Sequence, residues 1–538
     1  MAQFINARED IVQEALDGLV AASGGQLVRL DGYPFIRVIA RSDWNHSRVA
    51  VISGGGSGHE PAHAGFVGPG MLTAAVCGDV FASPSVDAVL SGILAVTGAA
   101  GCVLIVKNYT GDRLNFGLAA ERARALGRKV TMVIVQDDIA IPDIGRPRGI
   151  AGTLFVHKLA GAVSESGGDL DAVTAAARRA ASRVMSIGMS LDTCTVPGSP
   201  REDRIQSGEI ELGLGIHGEA GAAKFPYLGA RQAMADAVAR FLPRMSGNSY
   251  AALLNNLGST TALEMSILAE ELRRSAVGPA VSHIVGPAAM MTALDMHGFS
   301  LTLYSLNTED EKLLTAETPL RTWPGLRTFV APRIVPLPDG LARLRPTPSA
   351  EPATEEFLIR CCKALIAAEA DLNALDARAG DGDTGTTLAG AASALIQNIG
   401  QLPLSDHTQL YRALGQELSQ TMGGSSGVLL AIFFAAAGDA VSNGHSLMSA
   451  LKVGLARMQE VGGAQPGDRT MIDALLPALD ALPQGATYAA RAARKGANLT
   501  ATMSRAGAGR SAYIGAEQLQ GHADPGAEAV ARLFESLC

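Results

Sequence analysis

The sequence predicts two kinds of fold in one chain, an α/β half followed by an all-α half. Three observations carry that expectation. Up to about residue 330, short Val- and Ile-rich runs alternate with helix-forming stretches, the rhythm of strand–helix–strand units. Prolines then take over at Pro332, Pro336, Pro338, Pro346, Pro348 and Pro352. Beyond them apolar residues recur at helical spacing and strand patterns nearly vanish.

In order along the chain, residues 48–53 (RVAVIS) read as a buried strand that opens onto glycines, and residues 101–107 (GCVLIVK) and 130–135 (VTMVIV) read the same way. Helix formers with charges on one side fill 116–125 between them. A parallel sheet with its sites at the strand C-termini follows. After a helical stretch at 169–182, a second α/β unit begins near Arg183, with an apolar run at 210–216, a helix over 227–242 and a strand over 250–257. The residues leave open whether it is a separate domain or a continuation of the first. The predicted division is therefore 1–333, with subdomains of about 1–182 and 183–333, then a proline-rich linker at 334–353, then 354–538. In the last part Phe357, Cys361, Leu365 and Ile366 mark one helix, and 409–421, 427–440, 447–460 and 473–482 mark others.

Composition narrows the function classes. Of 538 residues, 47% are hydrophobic and 18% charged, the balance of a globular protein. The net charge of −8 comes with no basic block, which argues against nucleic acid or an anionic membrane as partner. No unbroken apolar run reaches about 18 residues, so no membrane-spanning helix is expected. The N-terminal residues lack a basic segment followed by an apolar one, so no secretory signal is expected. Six cysteines without a C-x-x-C pair (Cys77, Cys102, Cys194, Cys361, Cys362, Cys538) predict reduced thiols, not a zinc site or a disulfide framework.

The most informative chemistry lies in the helical half. Asp376, Asp381 and Asp383 stand within eight residues, glycines separate the last two, and Thr384, Thr386 and Thr387 follow. Carboxylates this dense repel one another unless a cation lies between them. Hard divalent ions and the phosphates that accompany them suit such a donor set. An EF-hand is excluded because its third acidic position would fall on Gly385, and no G-x₄-G-K-[ST] loop occurs. A helix cap would need one carboxylate, not three. Met422-Gly-Gly-Ser-Ser-Gly427 precedes an apolar helix, so Gly424, Ser425 and Ser426 are candidates for an anion cradle. Arg469 in a short loop before the next helix could meet phosphate charge, and the loops at 504–511 and 524–526, with Asp524 and Gly526, could border a nucleotide.

In the α/β half, GGGSGHEP at 54–61 follows a strand, and its glycines let the backbone approach a small ligand. His59 and His63, four apart, could share a helix face, but Glu60-Pro61 breaks a metalloprotease-like pattern and no third ligand is evident. KNYTGD at 107–112 ends the next strand, so Lys107 and Asp112 could hydrogen-bond a hydroxylated ligand, although taken alone the segment reads better as a solvated loop. GLGIHG at 213–218 fits G-x-G-x-x-G without opening a good helix, so it is no dinucleotide fingerprint. Its notable residue is His217, which as a neutral imidazole is a nucleophile, a base or a core residue.

Seven blocks in order, GGGSGHEP, KNYTGD, GLGIHGE, LD-x₄-GDGDTGTT, MGGSSG, GDRTMIDAL and GRSAY-x₁₀-DPGA, resemble the single-chain ATP-dependent dihydroxyacetone kinases. The resemblance spans nearly the whole chain. It implies a ketose-binding K domain of two α/β subdomains joined to a nucleotide-binding L domain built as an all-α helical barrel. It further implies that the ketone binds His217 as a covalent hemiaminal, an adduct that only a carbonyl compound can form. Gly56, His59, Lys107 and Asp112 would contact the ketose, with Asp112 as base for the terminal hydroxyl and His59 orienting or assisting. Asp376, Asp381 and Asp383 would hold two Mg²⁺ ions on ATP. Gly424, Ser425, Ser426, Thr386 and Thr387 would lie near the phosphates, with Arg469, Asp524 and Gly526 around the nucleotide. Some L domains carry His where this chain has Thr384; the Thr and the fusion both favour direct use of ATP. A cytoplasmic homodimer, domain-swapped in some relatives, is implied as well. A four-carbon ketose such as erythrulose would fit the same adduct chemistry, and a non-catalytic ketose sensor is the reading of another class. The family's FAD-cleaving side activity leaves no mark in these motifs.

Overall fold

The computed structural model describes residues 3–30, 32, 36–141, 145–338, 346–378 and 380–538. Residues 339–345 of the predicted linker, and Ala379 within the aspartate block, lie outside the described residues. The chain divides into two compact units, Met1–Ile334 and Val335–Cys538.

The first unit opens with α1 (Ile11–Ala22), β1 (Leu27–Arg29), β2 (Val38–Arg41), β3 (Ala50–Ser57), β4 (Ala74–Val80), α2 (Val86–Val96), β5 (Cys102–Lys107), α3 (Thr110–Ala125) and β6 (Val130–Val135). These six strands form one sheet in the order β1-β2-β4-β3-β5-β6. β4, β3, β5 and β6 are parallel; β2 joins β4 antiparallel at one side, with β1 beyond it. β3 and β5 are buried along their whole length, which explains their unbroken apolar sequence.

Then come α4 (Thr153–Glu165), α5 (Leu170–Arg183), β7 (Val184–Ser190), β8 (Glu209–Leu212), β9 (Ala223–Pro226), α6 (Ala230–Ala239), β10 (Tyr250–Asn256), α7 (Ala262–Arg274), β11 (Val281–Ala289), β12 (Gly298–Ser305), α8 (Thr308–Thr315) and β13 (Leu326–Thr328). The second sheet runs β13-β11-β10-β12-β7-β8-β9. Only β10–β11 is a parallel pair; the others are antiparallel, so the parallel pattern expected of the α/β half holds in the first sheet alone. Helix starts follow local chemistry. Ser85, Asp169 and Asn307 each accept a backbone N–H as N-caps, and Thr261 with Glu264 forms a capping box on α7.

Three boundaries differ from the sequence reading. The glycines after residues 48–53 belong to β3 itself, because a Cβ at Gly54 would lie 2.2 Å from the Val76 carbonyl oxygen of β4. α3 begins at Thr110, six residues before the predicted 116, and so carries Asp112 in its first turn. The predicted apolar run at 210–216 is strand only as β8.

The second unit is helical: α9 (Pro352–Ala367), α10 (Glu369–Asp376), α11 (Thr384–Asn398), α12 (His407–Thr421), α13 (Gly424–Ser442), α14 (Leu447–Gly462), α15 (Ile472–Ala481), α16 (Ala486–Thr500), the short α17 (Ala516–Leu519) and α18 (Pro525–Glu535). α9 packs on α11, and α11 through α16 pack each on the next. α16 then packs on α18, which returns to α9 and α10, so the ring closes as a helical barrel. α13 has 19 residues and is, by length and composition, apolar enough to cross a membrane. The search for unbroken apolar runs missed it because Ser425, Ser426 and Asp439 interrupt it. In this fold it lies between α12 and α14.

Candidate functional site

In the first unit the predicted residues gather at the C-terminal ends of β3 and β5, the place where parallel sheets bind ligands. Gly55 sits at φ +147° near the end of β3; a Cβ there would lie 3.1 Å from Lys107 Nζ and 3.4 Å from Asp112 Oδ2. Glycine is thus required by both backbone and space. Gly56, the glycine singled out from the sequence, differs: a Cβ there would meet the backbone of Phe81 and Ala82 at 2.8–2.9 Å. It is Gly55 whose missing side chain opens onto Lys107 and Asp112.

Lys107 is fully buried, and Asp112 is 2% exposed with no partner for Oδ1 among the described residues. Burial pulls the Lys107 ammonium below its usual range, and Asp112, Asp137 and Glu60 counteract that pull. Asp137, buried beneath them, accepts the N–H groups of Ile150 and Gly152. Burial pushes its carboxyl up to about 6.

His59 is also buried. Its Nδ1 lies 2.8 Å from the Thr292 carbonyl oxygen, so Nδ1 carries the proton. Nε2 has no partner among the described residues and offers its lone pair. Burial, with the Lys107 and His217 charges adding to it, holds His59 well below the ordinary imidazole range.

His217 comes from the second sheet, in the loop between β8 and β9, and meets His59 edge-on at a ring distance of 4.9 Å. Tyr109 at 4.5 Å and Phe81 at 5.3 Å complete an aromatic box around it. Its Nδ1 faces Glu219 Oε1 at 3.2 Å, while its backbone N–H donates to Glu219 Oε2 at 3.0 Å. A carboxylate can only accept, so Nδ1 carries a proton and Nε2 is the nitrogen turned away from Glu219. Burial would raise the Glu219 carboxyl, but the His217 contact and Arg148 outweigh it and hold the group at about 2. Arg148 ties the loop down, donating to the Gly213 carbonyl and to Asp138. Gly215 leaves room for the Glu219 carboxylate, since a Cβ would lie 1.8 Å from Oε2.

His59 and His63 do not form a metal pair. No helix joins them, the first regular turn being the 3₁₀ segment Ala64–Phe66. His63 Nε2 faces the Lys107 ammonium at 2.8 Å, and a cation repels a metal. The sequence reading also passed over Tyr109, Glu219 and Arg148. Tyr109 and Glu219 sit inside quoted blocks, and their aromatic and acidic types were the available signal.

In the second unit α10 ends on Asp376, which is buried. One of its oxygens accepts the N–H groups of Gly382, Asp383 and Thr384 at 3.0–3.2 Å, so the loop wraps around this carboxylate. Gly380 must be small because a Cβ would lie 2.3 Å from Asp376 Oδ1. Asp376, Asp381 and Asp383 each bring a carboxylate oxygen within 4.8 Å of the others. Three hard oxygen donors on a turn that leaves two of them exposed suit a divalent cation such as Mg²⁺. Arg510 pairs with Asp381.

Gly424 and Ser425 are exposed in the first turn of α13, whose N-cap Gly423 supplies no side-chain bond. The free N–H groups and the helix dipole make that end receptive to an anion. Thr386 is committed locally: Asn373 donates to its hydroxyl, which donates to Glu369. Thr387 is half-buried beside it in α11.

Arg469 and Asp524 turn inward. Arg469, which the sequence offered as a residue that could meet phosphate charge, is 1% exposed; its Nη2 donates to the His522 and Leu519 carbonyls, and Nε and Nη1 have no partner among the described residues. Asp524 caps α18 by accepting the Ala527 N–H, and burial pushes its carboxyl up to about 6. Gly526 lies against it, where a Cβ would be 3.1 Å from Asp524 Oδ1. Arg378 approaches His522 at 3.2 Å, so these loops and the aspartate loop share one end of the unit.

Known proteins match both units. A Dak1 domain model matches residues 17–321 and a DAK2 domain model matches residues 378–538. The chain is 48% identical to the dihydroxyacetone kinase of Citrobacter freundii, covering 99% of this chain and 98% of that one. It is 35% identical to an L-erythrulose 1-kinase of Mycolicibacterium smegmatis, covering 100% and 99%. The crystal structure of the C. freundii dihydroxyacetone kinase in complex with AMP-PNP and Mg²⁺ matches with TM-score 0.69 at 46% identity, over 100% of this chain and 99% of that one. The chain therefore belongs to the dihydroxyacetone kinase family, a Dak1 domain in its first unit and a DAK2 domain in its second.

Proposed function

We propose that this protein transfers the γ-phosphoryl group of ATP to dihydroxyacetone, which it holds as a hemiaminal on His217. The observation that carries the reading is the fixed tautomer of His217, with Nδ1–H on Glu219 and Nε2 free inside a box of His59, Tyr109 and Phe81. The Nε2 lone pair adds to the carbonyl carbon, the π electrons move to oxygen, and the oxygen takes up a proton from bulk solvent, which leaves the ring as a cation. Glu219 balances the positive charge that develops on the ring. Glycerol offers no carbonyl and cannot form the adduct, so selection works by reaction and not by size. Asp112, with an unpartnered oxygen, takes the proton of the terminal hydroxyl. His59 Nε2 orients the substrate, and the space over Gly55 receives it.

In the second unit Asp376, Asp381 and Asp383 would hold two Mg²⁺ ions, whose chemistry is to neutralise phosphate charge. The N-terminal turn of α13, with Gly424, Ser425 and Ser426, would cradle phosphate oxygens, and Thr386 and Thr387 border them. Asp524 and Arg469 shape the nucleotide's surroundings from inside, together with Gly526. We place the enzyme in the cytoplasm as a homodimer.

Two variants test the reading. Asp381→Ala abolishes ATP turnover while calorimetry still shows ketose binding. His217→Ala loses ketose binding while nucleotide binding persists. A wild-type protein that binds ketose but never turns over ATP would make it a sensor. A kinase of a four-carbon ketose is the second reading, favoured by the relative named L-erythrulose 1-kinase. Comparing kcat/KM for dihydroxyacetone and erythrulose separates the two. The higher identity to the C. freundii enzyme leads us to expect the larger value for dihydroxyacetone.

A further inference from the structure

Behind the proposed ketose site lies a group that the chemistry above does not use. His63 is 4% exposed, and its Nε2 stands 2.8 Å from Lys107 Nζ. Its Nδ1 stands 3.5 Å from Ser53 Oγ, which in turn lies 2.7 Å from the Ile105 carbonyl oxygen. A carbonyl only accepts, so the Ser53 hydroxyl hydrogen is spent on Ile105. Toward His63, Ser53 can then act only as an acceptor, which puts the proton on Nδ1 and the lone pair on Nε2. Lys107 must donate. The chain of donors runs in one direction, from Lys107 to His63 to Ser53 to Ile105.

It also closes on itself. Ser53 and Ile105 are paired residues of the parallel strands β3 and β5, and Lys107 ends β5 two residues further on. His63 therefore braces the lysine against the strand that carries it. His157 packs edge-on against His63 at a ring distance of 5.2 Å, with both of its nitrogens unpartnered in the protein.

We propose that His63 is a positioning residue for the phosphoryl-transfer reaction: as a neutral acceptor it takes one Lys107 N–H and directs the other two into the space over Gly55, toward a ketose oxygen and Asp112. A carboxylate in this place would neutralise the ammonium; an apolar residue would let it turn away. Only a neutral acceptor leaves a full positive charge facing the substrate. The inference rests on the ketose-kinase reading for the ligand, but the hydrogen-bond direction does not.

The test uses the full-length protein. His63→Gln keeps an acceptor where Nε2 stands, whereas His63→Leu keeps bulk and removes it. Losing a hydrogen bond to a charged group predicts a KM for dihydroxyacetone raised ~10-fold or more in His63→Leu, with the KM for ATP unchanged. His63→Gln should stay within about 3-fold of wild type. Equal losses in both variants would show a purely structural role, and no change in His63→Leu would show no role; either overturns the proposal. ¹⁵N-labelled wild-type protein provides a second measurement that needs no variant to fold. The His63 resonances should report a protonated Nδ1 and an unprotonated Nε2; a proton on Nε2 overturns the proposal. A wild-type protein that neither binds nor phosphorylates ketose would sink the functional reading instead, and the NMR result alone would then decide the His63 arrangement.

Discussion

The buried histidines of the first unit make its stability fall on mild acidification. His157 is wholly buried, and burial first, then the Lys107 charge, holds it down to about 3. An unfolded histidine titrates near 6.5. Between those values the unfolded chain binds a proton that the folded chain refuses, so stability is lost as pH drops through 6.5. For His157 alone the linkage relation gives about 1.2 kcal/mol lost between pH 7 and 5.5, and a folded value one unit higher would change this little. His59 and His63, both also lowered by burial, act in the same direction. Asp137 opposes them: its folded value of about 6 lies above the unfolded one, so it gains about 0.8 kcal/mol over the same interval. The net sign is destabilising. The assay is urea unfolding followed by tryptophan fluorescence, because both tryptophans, Trp44 and Trp323, belong to the first unit. His157→Leu should reduce the loss between pH 7 and 5.5 by about 1.2 kcal/mol. A packing defect introduced by leucine would act equally at both pH values and cancel in the difference. Identical pH dependence in wild type and variant would refute the reasoning.

Two further outcomes are expected. Gly55→Ala should weaken ketose binding by calorimetry, since the new Cβ enters the space beside Lys107 and Asp112 and the left-handed backbone costs about 1 kcal/mol or more. Glu219→Gln should lower ketose affinity by roughly 10-fold, because an amide can either donate to or accept from Nδ1 and no longer fixes the tautomer. That loss should be smaller than the loss in His217→Ala, and a larger one would show that Glu219 does more than orient the ring.

The sequence was most legible where the chemistry is local. Three aspartates in eight residues suggest a cation whatever the fold, and the strands at 102–107 and 130–135 announce themselves by short Val- and Ile-rich runs. It was least legible where a residue's meaning depends on a distant neighbour. Gly111 looked like a loop residue, yet it lies in α3, and it must be glycine because a Cβ would lie 2.6 Å from Ser83 Oγ. Lys107 and His63 are 44 positions apart, so their shared proton could not be read from either motif. Arg469 has the charge to meet a phosphate, but its burial and the bonds of its Nη2 to two carbonyls depend on residues some 50 positions away. The glycine-rich block at 213–218 was set aside as a dinucleotide fingerprint, but what its glycines do was not legible: they make room for Glu219 and the turn around His217.

The two units use charge in opposite ways, and the difference follows from burial. In the first, histidines and a lysine are withdrawn from water, which keeps the imidazoles neutral. At His59 and His63 a neutral Nε2 is the form that can accept a hydrogen bond, so desolvation supplies that state at ordinary pH. It also makes that state expensive, since every buried histidine must be kept unprotonated at the cost in acid worked out above. In the second unit Asp381 and Asp383 remain exposed, with only Asp376 buried to shape the turn. If they hold a metal as proposed, a divalent cation offsets their repulsion together with the Arg510 partner of Asp381, so this site would depend on divalent ions. Acidification should therefore impair the ketose side through loss of folded structure, and chelation of Mg²⁺ should impair the nucleotide side with the fold of the first unit intact. A chelator that lowered the tryptophan-detected stability of the first unit would contradict this separation.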